Sequence, residues 1–233
     1  MRDKGGLGTA LRRRLGIPVV PAAVERPAAG ESLLMNPTRL RIFQAVYNLP
    51  FSSVRQLARR VGVAPPSVRW HLSKLMEGGL VGATCPAGRM QYYIPGGLDE
   101  DDVAILSFLG REDRRAAVRA LCQEPGLTQL QLVRASGCKG HTIRALAAQG
   151  IIEALKDGRN RRYYPGEALA RRTQLHEERA RRSRQLLLTT LSREGLRPEC
   201  ADPGRGFLEV RVRPQKSAET LRFRRNPYDL SRW

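Results

Sequence analysis

The sequence has few of the residues on which catalytic and metal sites depend. It contains three histidines and four cysteines among 233 residues, and Cys85, Cys122, Cys138 and Cys200 form no CxxC or CxC pair. It also lacks a phosphate-binding glycine loop, a nucleophile elbow and the histidine–carboxylate spacing of a metal site. We therefore predict a protein that is not an enzyme and that uses neither a metal ion nor another cofactor.

Signals for disulfides and for membrane insertion are missing as well. Widely spaced cysteines, with no signal peptide evident, indicate reduced thiols in a cytoplasm rather than a disulfide framework. No apolar run approaches the roughly 20 residues that a membrane-spanning helix needs. We expect a soluble, cytoplasmic protein without a membrane partner.

Acidic residues are scarce relative to basic ones. Lysine and arginine number 41 against 22 aspartates and glutamates, so the formal net charge is +19. Residues 36–97 hold eight basic residues against one acid, Glu77, and residues 167–233 are also strongly basic. Positive charge spread along the whole chain favours a nucleic acid over a single acidic patch on a protein partner.

One stretch of the chain occurs twice. Ser53–Gln56 corresponds to Thr128–Gln131 75 positions later, and Gln56–Gly62 corresponds to Gln131–Gly137 at the same offset. The offset falls to 71 where Tyr163-Tyr164 matches Tyr92-Tyr93. Four residues, about one helical turn, are therefore missing from the second copy, inside the helix that follows Gly137. The repeat predicts two copies of one structural unit.

The first copy shows the unit most clearly. Pro65 suits a first helical position, and Val68, Leu72 and Leu75 recur at the spacing of one buried helical stripe. Gly78-Gly79 ends this helix, and a hairpin with its turn at Pro86–Gly88 follows. A short helix with basic, hydroxyl and aromatic groups opposite its buried stripe suits a DNA major groove, although many solvated helices share this pattern.

Four segments resemble winged helix-turn-helix transcriptional regulators of the ArsR/MarR-like kind: Asn36–Ile42, Gln56–Val63, Val68–Leu75 and Gly88–Tyr93. The two copies look most like archaeal predicted regulators with two such domains in one chain. The resemblance covers about residues 36–166 and implies DNA-binding transcription control, usually as dimers. It places the helix Pro65–Glu77 in the major groove. The chain departs from the family in its shortened second helix, and the missing cysteine pair argues against metal sensing.

Two groups of residues are predicted to contact DNA. In the first copy they lie on the helix and at the hairpin: Ser67, Arg69, Trp70, Ser73, Lys74, Arg89 and Gln91. In the second copy they lie at the corresponding outward positions and on the hairpin: Lys139, His141, Thr142, Arg144, Arg159, Arg161 and Arg162. Whether the shortened second helix reads bases stays open, and its arginine-rich hairpin is predicted to contact phosphates.

The predicted fold is mainly α, of the α+β winged-helix type, with two tandem winged helix-turn-helix domains, then a long helix and a C-terminal β-hairpin. The predicted segments are a basic, mostly disordered tail (1–35), the first winged helix (36–97), a connecting helix (98–110), the second, shortened winged helix (111–166), a long charged helix (167–195), and a linker with the hairpin (196–233). The connecting helix is expected to bury one face, with Val103, Leu106 and Leu109.

The long charged helix is too polar for an ordinary core element. We expect it to bridge to a partner subunit through Leu186–Leu188 and Leu191, so that residues 167–233 form a homodimer contact. In the hairpin, Leu208, Val210 and Val212 should face one side and pack on the long helix, a winged domain or a second subunit.

The leading prediction is a nucleoid-associated transcriptional regulator that binds double-stranded DNA. Two alternatives stay open. Winged helices also serve as protein-interaction and assembly modules, because a fold does not determine a function. A nonspecific architectural chromatin protein would show the same positive charge.

Overall fold

A computed structural model describes residues 32–201, 206–212 and 218–229 of the chain. In these ranges the fold is mixed α/β, with helices around three small antiparallel sheets. The helices are α1 (Pro37–Asn48), α2 (Val54–Val61), α3 (Pro65–Glu77), α4 (Glu100–Phe108), α5 (Glu112–Gln123), α6 (Gln129–Ser136), α7 (Gly140–Ala148), α8 (Glu167–Glu178) and α9 (Ala180–Arg193). The strands are β1 (Gly82–Thr84), β2 (Gln91–Tyr93), β3 (Leu127–Thr128), β4 (Ile152–Asp157), β5 (Asn160–Pro165), β6 (Glu199–Ala201), β7 (Phe207–Val212) and β8 (Glu219–Arg224).

The first copy of the repeat folds as α1, α2, α3 and the β1–β2 hairpin. Helix α2 begins with a capping box in which Ser53 and Gln56 each satisfy a backbone N–H, and it ends at Gly62, whose φ is +73°. Val68, Leu72 and Leu75 of α3 are buried, as their spacing predicts. An isolated bridge from Ser52 to Tyr92 adds a third chain segment beside the hairpin.

Residues 112–165 repeat this order as α5, β3, α6, α7 and the β4–β5 hairpin. Thr128 and Gln131 form the second capping box, and Gly137 ends α6 with a φ of +65°. Leu127 pairs with Tyr163 in β5, at the place that Ser52 and Tyr92 occupy in the first copy. Helix α7 has 9 residues where α3 has 13, so the missing turn lies where the change of offset predicts it.

After its first turn, helix α4 is buried all round, whereas the sequence suggested one buried face. Every residue from 102 to 110 is buried. The helix lies in one core with Phe51 and Tyr93 of the first copy, Leu121 of the second copy and Tyr228 near the C-terminus. Neighbours from both copies and from the C-terminal segment therefore cover the faces that the apolar spacing left exposed.

The predicted long helix is instead two helices that meet at Arg179. Arg172 of α8 binds the carboxylates of Asp99 and Asp101 at the start of α4, at 2.7 Å for Asp99. Leu187 and Leu191 of α9 pack into the core of the first copy and are 3% and 0% exposed. The prediction that these leucines contact a partner subunit is therefore wrong for Leu187 and Leu191. The two helices pack on different surfaces, which accounts for the break between them.

The C-terminal region forms a three-stranded sheet rather than a linker with a hairpin. Strand β6, at residues expected in the linker, pairs with β7, and β7 pairs with β8. Leu208, Val210 and Val212 are buried, as their alternation predicts. The sheet packs on α1, where the Asn48 amide donates to the Arg222 carbonyl and accepts the Arg224 N–H, both at 2.8 Å.

The last residues of the predicted disordered tail are ordered. Leu33–Met35 form a 3-10 turn, and Leu34 is fully buried in the core of the first copy. The Leu34 N–H donates to a carboxylate oxygen of Glu194 at 3.2 Å. The apolar side chain and this hydrogen bond attach the turn to the C-terminal end of α9. Residues 1–31 of the predicted tail lie outside the described residues.

Within the described ranges, no helix is long and apolar enough to cross a membrane. In the same part of the chain, no group of three His, Cys, Asp or Glu side chains is arranged to hold a metal ion.

Candidate nucleic-acid interface

The outward face of α3 carries the exposed residues that the sequence singled out. Ser67, Arg69 and Ser73 are exposed, and the large ring of Trp70 is 56% exposed. They share this face because the buried stripe of Val68, Leu72 and Leu75 holds the other side of the helix against the core. The result is a convex surface of cationic, hydroxyl and aromatic groups.

Glu77 modifies the charge of this face. Its carboxylate accepts a hydrogen bond from the Ser73 hydroxyl at 3.0 Å and pairs with the Lys74 ammonium at 2.8 Å. Hydrogen bonds from Lys74 and Ser73 lower the pKa of Glu77, so the carboxylate is ionised at neutral pH. Arg69 has no carboxylate within ion-pair distance among the described residues. Its guanidinium is therefore the α3 cation that is available to a ligand.

His71 belongs to the base of this face rather than to its outer surface. Its ring packs edge-on against Trp70, with the centroids 4.9 Å apart. Burial, and then the positive charge of Arg39, lower the pKa of His71. The imidazole is therefore neutral at physiological pH and supports the Trp70 ring.

The first hairpin places one predicted residue outside and one inside. Arg89 is exposed, directly after the 3-10 turn Pro86–Gly88. Gln91 is 7% exposed, and its amide donates to the Ser107 carbonyl of α4 at 3.1 Å. The prediction that Gln91 contacts DNA is therefore wrong, because β2 covers α4 and every residue of β2 is buried.

In the second copy, the residues of the α7 region that are predicted to contact DNA are not all exposed. Lys139, His141 and Arg144 are exposed around α7. Thr142 is 2% exposed, and its hydroxyl donates to the Asp113 carboxylate at the start of α5, at 2.9 Å. The prediction that Thr142 faces outward is wrong, since this hydrogen bond ties α7 to α5.

The second hairpin is longer than the first, with strands of 6 residues where the first has 3. Asp157 pairs with Asn160, so Gly158 and Arg159 form its tip. Arg159 and Arg161 are exposed. Arg162 binds the Asp157 carboxylate of its own hairpin and donates to the Gly126 carbonyl, just before β3, at 3.0 Å.

Arg114 is a cation near this surface that the sequence did not single out. Its guanidinium stacks over the Phe108 ring, 3.7 Å from the centroid. Burial, and then the charges of Arg111 and of Arg89, lower the pKa of Arg114. Arg89 of the first hairpin therefore lies close enough to α5 of the second copy for their charges to interact. No sequence pattern indicates this proximity, because it depends on how the two copies pack.

A buried polar cluster joins α4, α8 and the C-terminal segment. Asp102 is fully buried; one of its oxygens lies 2.9 Å from His176 Nε2, and the other accepts a hydrogen bond from the Tyr228 hydroxyl at 2.9 Å. Burial, and then the charge of Asp102, raise the pKa of Tyr228, which stays a neutral donor. The acidic run Asp99–Asp102 suits the first turn of a helix, where the helix dipole favours negative charge, but no sequence pattern indicates these partners. We assign the cluster to the packing of the molecule.

Comparison with known proteins finds a match for one part of this surface. Residues 35–81 match the family model for winged helix-turn-helix DNA-binding domains, and this range contains α1, α2 and α3. The second copy of the repeat lies outside the matched residues.

Two individual proteins are similar to the chain. An uncharacterized HTH-type transcriptional regulator of Methanocaldococcus jannaschii is 24% identical over 143 residues, which cover 60% of this chain. The chain spans only 36% of that regulator's length. A solved protein of Corynebacterium diphtheriae is 18% identical and aligns over 56% of this chain and 26% of its own, with a TM-score of 0.22.

Proposed function

We propose that the protein is a sequence-specific, DNA-binding transcriptional regulator. The observation that carries the proposal is the exposed face of α3, with Arg69 and Trp70, in a segment that matches a DNA-binding family. A helix of this size fits the major groove of B-DNA, which is about 12 Å wide. The name of the relative from Methanocaldococcus jannaschii supports the same class of function.

In this proposal α3 reads base edges. Arg69 is the residue best suited to the task, because an arginine binds guanine O6 and N7 through two parallel hydrogen bonds. Ser67, Ser73 and Lys74 contact phosphates or bases beside it, and Trp70 packs against the sugar–phosphate chain at the edge of the groove. Arg89 reaches the backbone next to the groove.

We further propose that residues 111–166 form a second winged helix that positions the protein on DNA. Helix α7 is 9 residues long, four fewer than α3, and a helix shortens by about 1.5 Å per residue removed. Its Lys139, His141 and Arg144 therefore contact the groove edge rather than its floor. Arg159 and Arg161 extend from the longer hairpin toward phosphates, and Arg162 supports them through its bond to Asp157.

Dimerisation through residues 167–233 is part of the same proposal, because regulators of this kind usually bind DNA as dimers. With Leu187 and Leu191 buried in the chain's own core, Leu186, which is 41% exposed, is the apolar residue of α9 that best fits such a contact. Analytical ultracentrifugation of the wild type and of Leu186→Glu tests this point. A wild type that is monomeric at all concentrations contradicts it.

The salt dependence of DNA binding tests the leading proposal. If the protein contacts six to ten phosphates, its affinity for duplex DNA falls by roughly 10³–10⁵-fold between 50 and 200 mM salt. A genome-wide footprint of the tagged protein identifies the DNA site that is used in the binding measurement. A duplex of random sequence serves as the competitor. No binding at low salt, or binding that salt does not change, contradicts DNA binding. Equal affinity for the two duplexes contradicts sequence specificity and favours an architectural role.

A further inference from the structure

A largely apolar cavity of about 80 Å³ lies between α1 and α9. Its walls include Phe43 and Val46 of α1, Leu186 and Leu187 of α9, and Ile94 and Leu98 of the segment that follows β2. The cavity therefore lies where the first copy of the repeat meets the C-terminal region. Apolar walls of this kind bind the carbon skeleton of a small molecule.

A second cavity, of about 220 Å³, adjoins the first and differs from it in charge. The two share Tyr47, Ser183, Arg224 and Arg225, and the second also has Arg181 and Arg184 in its wall. Four arginines thus line one space, two of them with hydrogen bonds to carbonyls of the C-terminal region, and none of the described residues that line it carries a carboxylate. Like charges held together in this way favour an anion between them.

The arginines contributed by α9 are available for such an anion. Arg181 and Arg184 are exposed and have no ion-pair partner among the described residues. Both lie in the first turns of α9, the end of a helix where positive charge is least favourable. Arg225 also has a structural role, since its Nε donates to the Phe207 carbonyl at 3.2 Å. Arg181 and Arg184 are therefore the pair best placed to bind a ligand.

Tyr47 provides an uncharged donor where the two cavities meet. Its ring packs edge-on against Phe223, with the centroids 5.2 Å apart, which sets the direction of the side chain. The Tyr47 hydroxyl makes no hydrogen bond to any other described residue. Burial raises the pKa of Tyr47 to about 12, so the hydroxyl keeps its proton at physiological pH.

We propose that the joined cavities bind a small amphipathic carboxylate, with its apolar body between α1 and α9 and its carboxylate at Arg181, Arg184 and the Tyr47 hydroxyl. Guanidinium groups suit this anion because they bind a carboxylate through two parallel hydrogen bonds. A water molecule needs about 10–15 Å³ of such space, so the apolar cavity has room for about six non-hydrogen atoms. An aromatic ring or a short branched chain has this size.

Titration of the free, full-length protein with phenylacetate, followed by NMR and calorimetry, tests the proposal. No DNA is present, so the result does not depend on the proposed function. We expect saturable binding of phenylacetate, and binding at least about tenfold weaker for the neutral phenylacetamide and for inorganic phosphate. Phenylacetamide lacks the negative charge and phosphate lacks the ring. Comparing the three ligands therefore gives the contribution of each group to binding without any change to the protein.

Variants then locate the site. Arg181→Gln with Arg184→Gln should weaken phenylacetate binding by about tenfold or more, and Tyr47→Phe by about three- to tenfold. Arg182→Gln is the matched control, since Arg182 is exposed on the same helix and lines neither cavity. It should change the affinity by less than about twofold. Thermal unfolding of each variant confirms that it is folded.

Three outcomes would overturn the proposal. The first is that phenylacetate, benzoate and hexanoate all fail to bind at about 10 mM. The second is that phenylacetamide or phosphate binds as tightly as phenylacetate, because the protein would then recognise only one half of the ligand. The third is that Arg182→Gln weakens binding as much as the double variant does.

Discussion

Individual residues on the face of α3 differ in what they can offer a ligand. Lys74 and Ser73 both bind Glu77, so part of their hydrogen-bonding capacity is used within the helix. Arg69 lacks such a partner among the described residues and stands beside the exposed ring of Trp70. The sequence predicts that both cations and the Trp70 ring lie on this face. Only the side-chain contacts show that Arg69 is more available to a ligand than Lys74, which pairs with Glu77.

Two arginine substitutions should separate base reading from phosphate contact. Arg69→Ala should weaken binding to the specific duplex by about 1–3 kcal/mol and relax the base preference, because an arginine that reads guanine is lost. Arg159→Ala should weaken binding to all duplexes equally and lower the salt slope by about 1, because one phosphate contact is lost. Fluorescence anisotropy with the specific and the random duplex measures both effects. Full affinity in both variants means that the interface is assigned to the wrong surface.

Asp113 should make the stability of the second copy depend on pH. Burial raises the pKa of Asp113, but hydrogen bonds from Arg111 and Thr142 outweigh burial and lower it below its ordinary value. A carboxyl with a lowered folded-state pKa adds stability above its unfolded pKa, about 3.9, and this stability is lost as the pH falls through the folded-state value. Asp113→Asn should therefore lose less stability than the wild type between about pH 7 and pH 3.

Urea unfolding at a series of pH values measures this difference. Glu124→Gln is the control, because Glu124 is an exposed carboxylate at the end of α5 that has no hydrogen bond or ion pair among the described residues. It should keep the pH dependence of the wild type. If Asp113→Asn does so too, the bonds from Arg111 and Thr142 do not stabilise the folded state.

At the scale of elements, the two copies share their local construction and differ in one helix. Each copy has a capping box before its second helix, a glycine with positive φ after it, and a bridge from the residue before the cap to a tyrosine of the hairpin. The shorter α7 is followed by the longer hairpin. This exchange is consistent with our proposal that the second copy contacts phosphates while α3 reads bases.

The two capping boxes should contribute similar free energies. Ser53→Ala and Thr128→Ala each remove a hydroxyl that accepts a backbone N–H at 3.4 Å. Each should lower the free energy of unfolding by about 1 kcal/mol, within a range of about 0.5–2. The double variant should show the sum to within about 0.5 kcal/mol, because the two caps share no partner.

Urea unfolding of the single and double variants measures these values. Ser67→Ala serves as the control, since Ser67 is exposed and its hydroxyl makes no hydrogen bond to a described residue. It should change the unfolding free energy by less than about 0.5 kcal/mol. A Thr128→Ala variant as stable as the wild type would show that the second box is not formed in solution.

At the scale of the whole molecule, the C-terminal sheet is part of the first copy's core. Phe223 of β8 is fully buried against Tyr47 of α1, and Val210 and Leu208 belong to the same cluster. Phe223→Ala should therefore lower the free energy of unfolding by about 3–5 kcal/mol, as truncation of a buried phenylalanine does. The less buried Phe207 of β7 is the comparison and should cost clearly less when changed to alanine.

Urea unfolding monitored by helical circular dichroism reports this effect, since α1, α2, α3 and α9 share one core with the sheet. A loss below about 1 kcal/mol for Phe223→Ala contradicts the packing of the sheet on α1. A separate early transition of the sheet alone would contradict it as well.

The placement of the acidic residues also shapes the charge of the whole molecule. Asp99 and Asp101 pair with Arg172 of α8, and Asp102 is fully buried beside His176, so these three charges are partly neutralised or removed from the surface. Many of the arginines, among them Arg69, Arg89 and Arg159, stay exposed. The surface is therefore more positive than the acidic run Asp99–Asp102 suggests. This distribution supports the proposed polyanionic partner.

The sequence by itself determined the local features of this protein. The shorter α7 follows from comparing the two copies of the repeat along the chain. The helix starts at Asn36, Ser53 and Thr128 and the buried stripe of α3 depend on residues a few positions apart, and each is present in the structure. Such features follow from short-range hydrogen bonds and from helical spacing, which can be read along the chain.

Only the tertiary structure decided which surfaces are covered. Gln91 and Thr142 turn inward because α4 and α5 supply partners that lie far away in the sequence. The full burial of α4, the break at Arg179 and the third strand β6 have the same origin in long-range packing. The arginines around Tyr47 converge for this reason too, and no local pattern predicts them. Long-range contacts thus determine which of the many basic residues of this chain are free to bind a ligand.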